Sequence, residues 1–152
     1  LRLLKSEYDL AIVGASFAGL AAAATAAARD LNVVVLESKP RSGAKVRTTG
    51  ILVKEASEEL DFPSALTKKI HSVRLYAPNL NYVDLSAPGY YFLATDTDAL
   101  LDWMALRARD AGATILTNTP FRQAHVRDGL VELDPPGICT RFVIGSDGPR
   151  SQ

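Results

Sequence analysis

The segment from Asp9 to Glu37 constrains the fold more than any other part of the chain. Leu10–Ala28 is a run of 19 residues without a charge, long enough to suggest a membrane span. Its composition argues otherwise. Asp9-Leu10-Ala11-Ile12-Val13 is short and partly β-branched, Gly14-Ala15-Ser16-Phe17-Ala18-Gly19 is turn-forming, and Leu20–Ala28 is mostly alanine. Alanine is the best helix former and a poor lipid anchor, so strand, turn and helix follow one another. No Lys/Arg-rich start leads into a cleavable apolar core, which argues against a signal peptide.

The spacing then suggests a chemistry. Gly14 permits the tight turn, Gly19 lets helix and strand backbones approach, and the helix opens with free amides whose dipole favours a pyrophosphate. Glu37 follows Gly19 by 18 residues, at the end of an unbroken β-branched strand, Asn32–Leu36. A carboxylate there can accept the ribose hydroxyls of an adenosine and disfavours a 2′-phosphate. A dinucleotide site is therefore predicted, against the plainer reading of an Ala-rich helix joined by an ordinary Gly turn. Ser16 stands where the fingerprint usually has a second Gly, and its hydroxyl is small enough to face a phosphate oxygen.

The rest of the chain parses without a linker. Residues 38–54 read as irregular, and Ser57–Leu60 and Pro63–Lys69 as short helical turns. Ser72–Tyr76 and Tyr82–Leu85 read as a hairpin around Ala77-Pro78-Asn79, and Tyr90–Ala94 as a strand. Asp96 or Thr97 caps a helix over Asp98–Ala111 that Gly112 stops. Ala113–Leu116 is a strand, Phe121–Arg127 and Leu130–Leu133 form a hairpin about Asp128-Gly129, and Arg141–Gly145 reads as a final buried strand. Val143-Ile144-Gly145-Ser146-Asp147-Gly148-Pro149-Arg150-Ser151 puts an Asp-Gly turn at the carboxyl end of that strand, where ligands of parallel sheets bind, although Ser-Asp-Gly-Pro is also plain turn chemistry. The fold class is α/β, a Rossmann-like fold with a central parallel sheet, a β-meander and an antiparallel ribbon.

Composition removes other classes. With 17 Lys+Arg against 17 Asp+Glu, the chain lacks the electrostatic footprint of a nucleic-acid binder. A single cysteine, Cys139, permits no internal disulfide, no Cys-rich metal site and no redox-active pair, so a packed thiol in a reducing, cytoplasmic setting is expected. His71 and His125 have no metal-ligand spacing, and no metal site is expected. Tyr90-Tyr91-Phe92 reads as core or as the wall of a cofactor or apolar substrate pocket.

Taken together, the two ends resemble FAD-binding flavoproteins of the glutathione-reductase fold, in the branch of geranylgeranyl reductases and aromatic-ring hydroxylases. Gly14, Ser16, Gly19 and Glu37 match its adenosine and pyrophosphate motif, and Gly145-Ser146-Asp147-Gly148 resembles its Gly-Ala-Asp-Gly signature. Ser42–Ile51, Val73–Pro78 and Thr97–Met104 resemble its following loop, strand and central helix, with the reductases nearer than the hydroxylases.

The resemblance implies FAD as cofactor, held by Gly14, Ala15, Ser16, Phe17, Ala18, Gly19, Glu37, Ser38, Arg47, Thr48, Asp147 and Gly148. It also implies reduction of C=C bonds in an isoprenoid or similarly apolar substrate, an external donor such as NAD(P)H or a ferredoxin, and at most peripheral membrane association. Residues 1–152 would be the FAD-binding domain, incomplete at its C-terminal side, with 71–94 an antiparallel excursion toward a substrate region. Weak cofactor retention and little turnover by this chain alone then follow. Two departures stand out: Thr48-Thr49-Gly50 replaces a Cys-Gly-Glu-Gly stretch, and Ala94-Thr95-Asp96 replaces a common Arg. Ring or lipid hydroxylation, an NAD-binding dehydrogenase domain and a non-catalytic nucleotide-binding fragment are the alternatives.

Overall fold

A computed structural model describes residues 7–148. Pro149, Arg150 and Ser151 of the terminal motif lie outside them. The chain divides into two compact units, one running to Lys45 and resuming at Leu101, the other Val46–Leu100.

The first unit is built on a six-stranded sheet. Its strands are β1 (Tyr8–Val13), β2 (Val33–Leu36), β8 (Thr114–Leu116), β9 (Gln123–Arg127), β10 (Leu130–Asp134) and β11 (Ile138–Gly145), in the order β8-β2-β1-β11-β10-β9. β8, β2, β1 and the second half of β11 run parallel, while β9 and β10 are antiparallel. Thr140 is the joint, paired to Val131 of β10 on one side and Tyr8 of β1 on the other. All four residues of β2 are buried, as expected of a parallel strand covered on both faces.

Helix α1 (Phe17–Ala27) buries Gly19, Leu20, Ala23 and Ala27; the small Gly19, Ala23 and Ala27 let it lie close to β1 and β2. Ala11, Val34, Leu36, Leu133 and Ile138 pack with Tyr8, Phe121, Val131 and Val143 in one cluster, so the meander shares the core of the parallel strands. Each fully buried Leu or Ile there contributes about 1.5–3 kcal/mol. Asp128 (φ 52) and Gly129 (φ 78) both adopt positive φ at the β9–β10 turn, the backbone that a two-residue hairpin turn demands.

The second unit contains β3 (Ile51–Val53), α2 (Lys54–Glu59), β4 (Thr67–Ile70), β5 (Ser72–Tyr76), β6 (Tyr82–Ser86), β7 (Phe92–Thr95) and the start of α3 (Thr97–Asp110). β3, β7 and β4 form an antiparallel sheet, and β5 and β6 form a separate two-stranded hairpin. The excursion expected over 71–94 thus belongs to a larger unit that begins at Val46.

Several expectations are corrected. Thr67–Lys69 is not helical; it is strand, paired to Leu93–Thr95 of β7, because ladder partners outweigh the weak local preference of Thr-Lys-Lys. Ile51–Val53, inside the stretch read as irregular, forms β3 through the same central strand. Helix α1 begins at Phe17 and not at Leu20, with Ser16 as its extended N-cap residue (φ −103, ψ −170). Asp96 caps α3: its Oδ1 accepts from the Ala99 amide at 3.5 Å and its carbonyl from Leu100 at 2.8 Å. The last strand is buried only over Ile138–Thr140; Phe142, next to the parallel β1, is 64% exposed. An apolar run signals capacity for burial, and what packs on it decides the outcome.

Among the described residues no helix is long and apolar enough to cross a membrane, and no cluster of His, Cys, Asp and Glu could hold a metal ion.

Candidate dinucleotide site

The carboxyl ends of β1 and β11 are neighbours, Val13 paired to Gly145, and the two glycine turns leave the sheet side by side. The Ser146 amide donates to the Val13 carbonyl at 2.8 Å. The Ser146 hydroxyl lies 2.8 Å from that oxygen and 3.0 Å from the Gly14 carbonyl. One serine therefore ties the second turn to the first. Its residue type sets it apart from the Ala of the resembled motif, and the hydroxyl accounts for what the change does here.

The glycines are needed because the backbones nearly touch. A Cβ on Gly14 (φ +100) would stand 2.6 Å from the Ser146 carbonyl oxygen and 2.9 Å from Asp147 Cα. A Cβ on Gly19 would stand 2.0 Å from the Gly14 carbonyl oxygen and 2.6 Å from Ser146 Oγ. Gly19 has ordinary helical φ, so sterics and not conformation exclude a side chain there. The cradle is closed by contact between two loops from opposite ends of the chain.

Glu37, 4% exposed, stands at the end of β2. Its Oε2 accepts the Ala15 amide at 2.9 Å; its Oε1 accepts the Lys39 amide at 2.9 Å and the Ser38 hydroxyl at 3.3 Å. The Lys39 ammonium is 4.0 Å from Oε1 and donates to the Ser42 carbonyl. A carboxylate offers about four acceptor positions, so three donors leave room for about one more. Glu37 thus clamps the glycine loop to β2 and keeps about one acceptor position.

These parts line a cleft of about 380 Å³ with Val13, Gly14, Ala15, Ser16, Leu36, Glu37, Ser38, Lys39, Thr119, Pro120, Phe121, Arg122, Ser146 and Asp147. That volume is in the range of ligand clefts, ~300–1,000 Å³. Of the residues singled out from sequence, Gly14, Ala15, Ser16, Glu37, Ser38 and Asp147 line it. Phe17, Ala18, Gly19 and Gly148 do not form its wall, and Arg47 and Thr48 are exposed residues of the second unit.

Sequence reasoning missed the far wall. Phe121 and Arg122, read as strand, precede β9 and line the cleft. They are brought there because the chain after β8 folds back over β2, with the Asn118 amide on the Lys39 carbonyl (2.9 Å) and the Thr119 amide on that of Glu37 (2.8 Å). The available signal was positional: a loop leaving the carboxyl end of a parallel strand.

The residues present suit a dinucleotide. Helix α1 carries no acidic side chain in its first turn, and Ser16 makes no side-chain capping bond, so the amides and the hydroxyl of the helix entrance are compatible with an anion. Cys139 is buried away from such chemistry; burial, then the charges of Glu132 and Glu7, push its thiol above its ordinary value.

Comparison with known proteins agrees. Residues 12–76 match the family described as NAD(P)-binding Rossmann-like domain. The chain is 30% identical to the geranylgeranyl diphosphate reductase of Rhodobacter capsulatus, over 96% of its own length and 39% of that protein's. It is 35% identical to a digeranylgeranylglycerophospholipid reductase of Methanococcoides burtonii, over 98% and 40%. Among solved structures, a geranylgeranyl bacteriochlorophyll reductase-like protein of Thermoplasma acidophilum superposes with a TM-score of 0.76 at 23% identity, over 93% of this chain and 39% of that one. The p-nitrophenol 4-monooxygenase of Pseudomonas putida does so with 0.76 at 18%, over 98% and 43%. The chain spans about two fifths of the length of these relatives, corresponding to their N-terminal part.

Proposed function

We propose that this chain, similar along nearly its whole length to the N-terminal part of geranylgeranyl reductases, is the FAD-binding portion of a flavin-dependent oxidoreductase. The observation that carries the reading is the closed cradle. Two glycine turns from adjacent parallel strands meet through Ser146, beside a buried Glu37 that retains an acceptor position.

In this reading the α1 entrance, Ala15 and Ser16, faces the pyrophosphate, and Glu37 accepts a ribose hydroxyl. Phe121 and Arg122 border the adenosine side, and Asp147 stands at the second turn. Arg47, Thr48 and Gly148 keep the roles that the family resemblance gives them. When bound, the flavin supplies the hydride or electron transfer, while the protein orients it and shields it from water. The relatives' names support an apolar, isoprenoid substrate whose C=C bonds are reduced, with NAD(P)H or a ferredoxin as external donor and peripheral contact with a lipid surface. The shared fold with a p-nitrophenol 4-monooxygenase favours ring hydroxylation as the second reading.

The test is the colour of the purified chain and the flavin it releases on denaturation. Released FAD, lost in Ser16→Leu while the fold is kept, is expected. A colourless chain that binds NADH, or Ser16→Leu with undiminished flavin, would overturn the assignment.

A further inference from the structure

The loop that follows β2 carries part of the cleft wall, Ser38 and Lys39, yet residues 37–50 contain no helix or strand that would hold it. Its near end is fixed by the Asn118 amide on the Lys39 carbonyl at 2.9 Å. Its far end is held from α3, by a residue 59 and 61 positions away in sequence. Asp102 Oδ1 accepts the Gly43 amide at 3.0 Å, and Oδ2 accepts from the Arg41 guanidinium. Asp102 and the loop as far as Lys45 belong to the same unit.

We propose that Asp102 is a positioning residue of the dinucleotide site: through the Ser42–Gly43 peptide it keeps the Lys39 ammonium off Glu37. The inference rests on the function proposed above, in which Glu37 accepts a ribose hydroxyl.

The helix is a firm support for such a clamp. Leu101, Met104, Ala105 and Ala108 are buried, the i, i+3, i+4, i+7 stripe of a helix packed along one side. The Asp102 side chain next to that stripe is 38% exposed and the Arg41 side chain 50%. An ion pair so open to solvent adds little to stability. The consequence of the clamp is geometric.

What it places is a charge. The Ser42 carbonyl and the Gly43 N–H are the two ends of one planar peptide group. The N–H end donates to Asp102, and the carbonyl end accepts the Lys39 ammonium at 3.1 Å. A single rigid group therefore transmits the position of Asp102 to Lys39, and Ser42 is buried. The same ammonium stands 4.0 Å from Glu37 Oε1, too far for a hydrogen bond.

Glu37 already accepts three donors and retains about one position. An ammonium released from Ser42 would be drawn onto the carboxylate in a charge-assisted bond, the stronger kind, and would take that position. Held by Ser42, Lys39 leaves it to a neutral hydroxyl. Its positive charge still stands beside a cleft suited to a diphosphate.

The test is calorimetric titration with ADP and with 2′,3′-dideoxy-ADP, which lacks both ribose hydroxyls. The unaltered chain should bind ADP about tenfold more tightly than the dideoxy nucleotide, the lower end for a hydrogen bond to a charged group. Asp102→Ala should bring the two affinities close together by weakening ADP, with the dideoxy nucleotide little changed. Asp102→Asn still offers an oxygen to the Gly43 amide and should keep most of the preference. Asp102→Ala combined with Lys39→Met has no ammonium to fall on Glu37 and should regain it. Equal weakening of both nucleotides by Asp102→Ala, or a double variant no better than the single one, would reduce Asp102 to scaffold and overturn the proposal. Failure of the cofactor reading looks different: the unaltered chain then binds neither nucleotide, or binds both alike, and this proposal falls with it.

Discussion

The two units of this chain handle apolar residues in opposite ways. In the first, Ala11, Ile12, Val33, Val34, Val35, Leu36 and Leu133 are fully or almost fully buried between helix, sheet and meander. In the second, Leu93 and Leu100 are the buried apolar side chains described, while Ile51, Val53, Leu60, Leu75, Tyr76, Leu80, Tyr82, Val83 and Leu85 are exposed. The contrast follows from topology. The inner parallel strand β2 and most of β1 are covered on both faces, although Phe142 and Ile144 of β11 are exposed, whereas a two-stranded ribbon has no second layer and is marginal alone. The first unit uses hydrophobicity to hold a polar site rigid; the second presents it as surface.

That contrast can be broken most forcefully in the core. Leu133→Ala should cost roughly 2–5 kcal/mol in urea denaturation, while Leu75→Ala in the hairpin should stay within about 0.5 kcal/mol. Comparable losses would erase the distinction. Gly19→Ala is the next largest. Helix propensity alone favours alanine by about 1 kcal/mol, yet its Cβ would meet the Gly14 carbonyl oxygen at 2.0 Å. A net destabilisation of about 3 kcal/mol, the upper end of overpacking costs, is expected together with loss of nucleotide binding. A stabilised variant would show that the loops are not closed as described.

Glu37→Gln sharpens the comparison inside the site. It leaves an amide group among the Ala15 and Lys39 amides that the carboxylate now accepts, so stability should fall by about 1–2 kcal/mol along with weaker ADP binding. Lost binding at full stability would assign Glu37 to the ligand alone.

The smallest effect belongs to the hairpin. The Arg74 guanidinium holds the Asp84 carboxyl below its ordinary 3.8. A lowered carboxylate pKa adds stability that is complete above the ordinary value and lost as pH falls through the lowered one. Tyr76 and Tyr82 ring resonances should therefore stay constant from neutral pH to about pH 4 and shift below it. Asp84→Asn should abolish that dependence, and an unchanged profile would place the transition elsewhere.

The parallel half was legible because its signals are local and redundant. Val33–Val35 is an unbroken β-branched run ending at Leu36, and Gly14 and Gly19 stand at fixed offsets; in the antiparallel meander beside it, Asp128-Gly129 dictates its turn. Thr67–Ile70 was not legible, since Thr-Lys-Lys becomes strand only through β7. Phe121 and Arg122 entered the site through backbone bonds from Asn118 and Thr119 to the end of β2, a tertiary event without a sequence mark. Ser146 looked like turn chemistry, and its hydroxyl across two carbonyls of the first loop appears only in three dimensions.

The central claim is that the first unit grips the adenosine–pyrophosphate half of FAD. Titrating the purified chain with FAD, ADP and FMN tests it most directly. FAD and ADP should compete for one site at similar affinity, with FMN bound far more weakly. FMN binding as well as FAD, or FAD binding that ADP cannot displace, would contradict it.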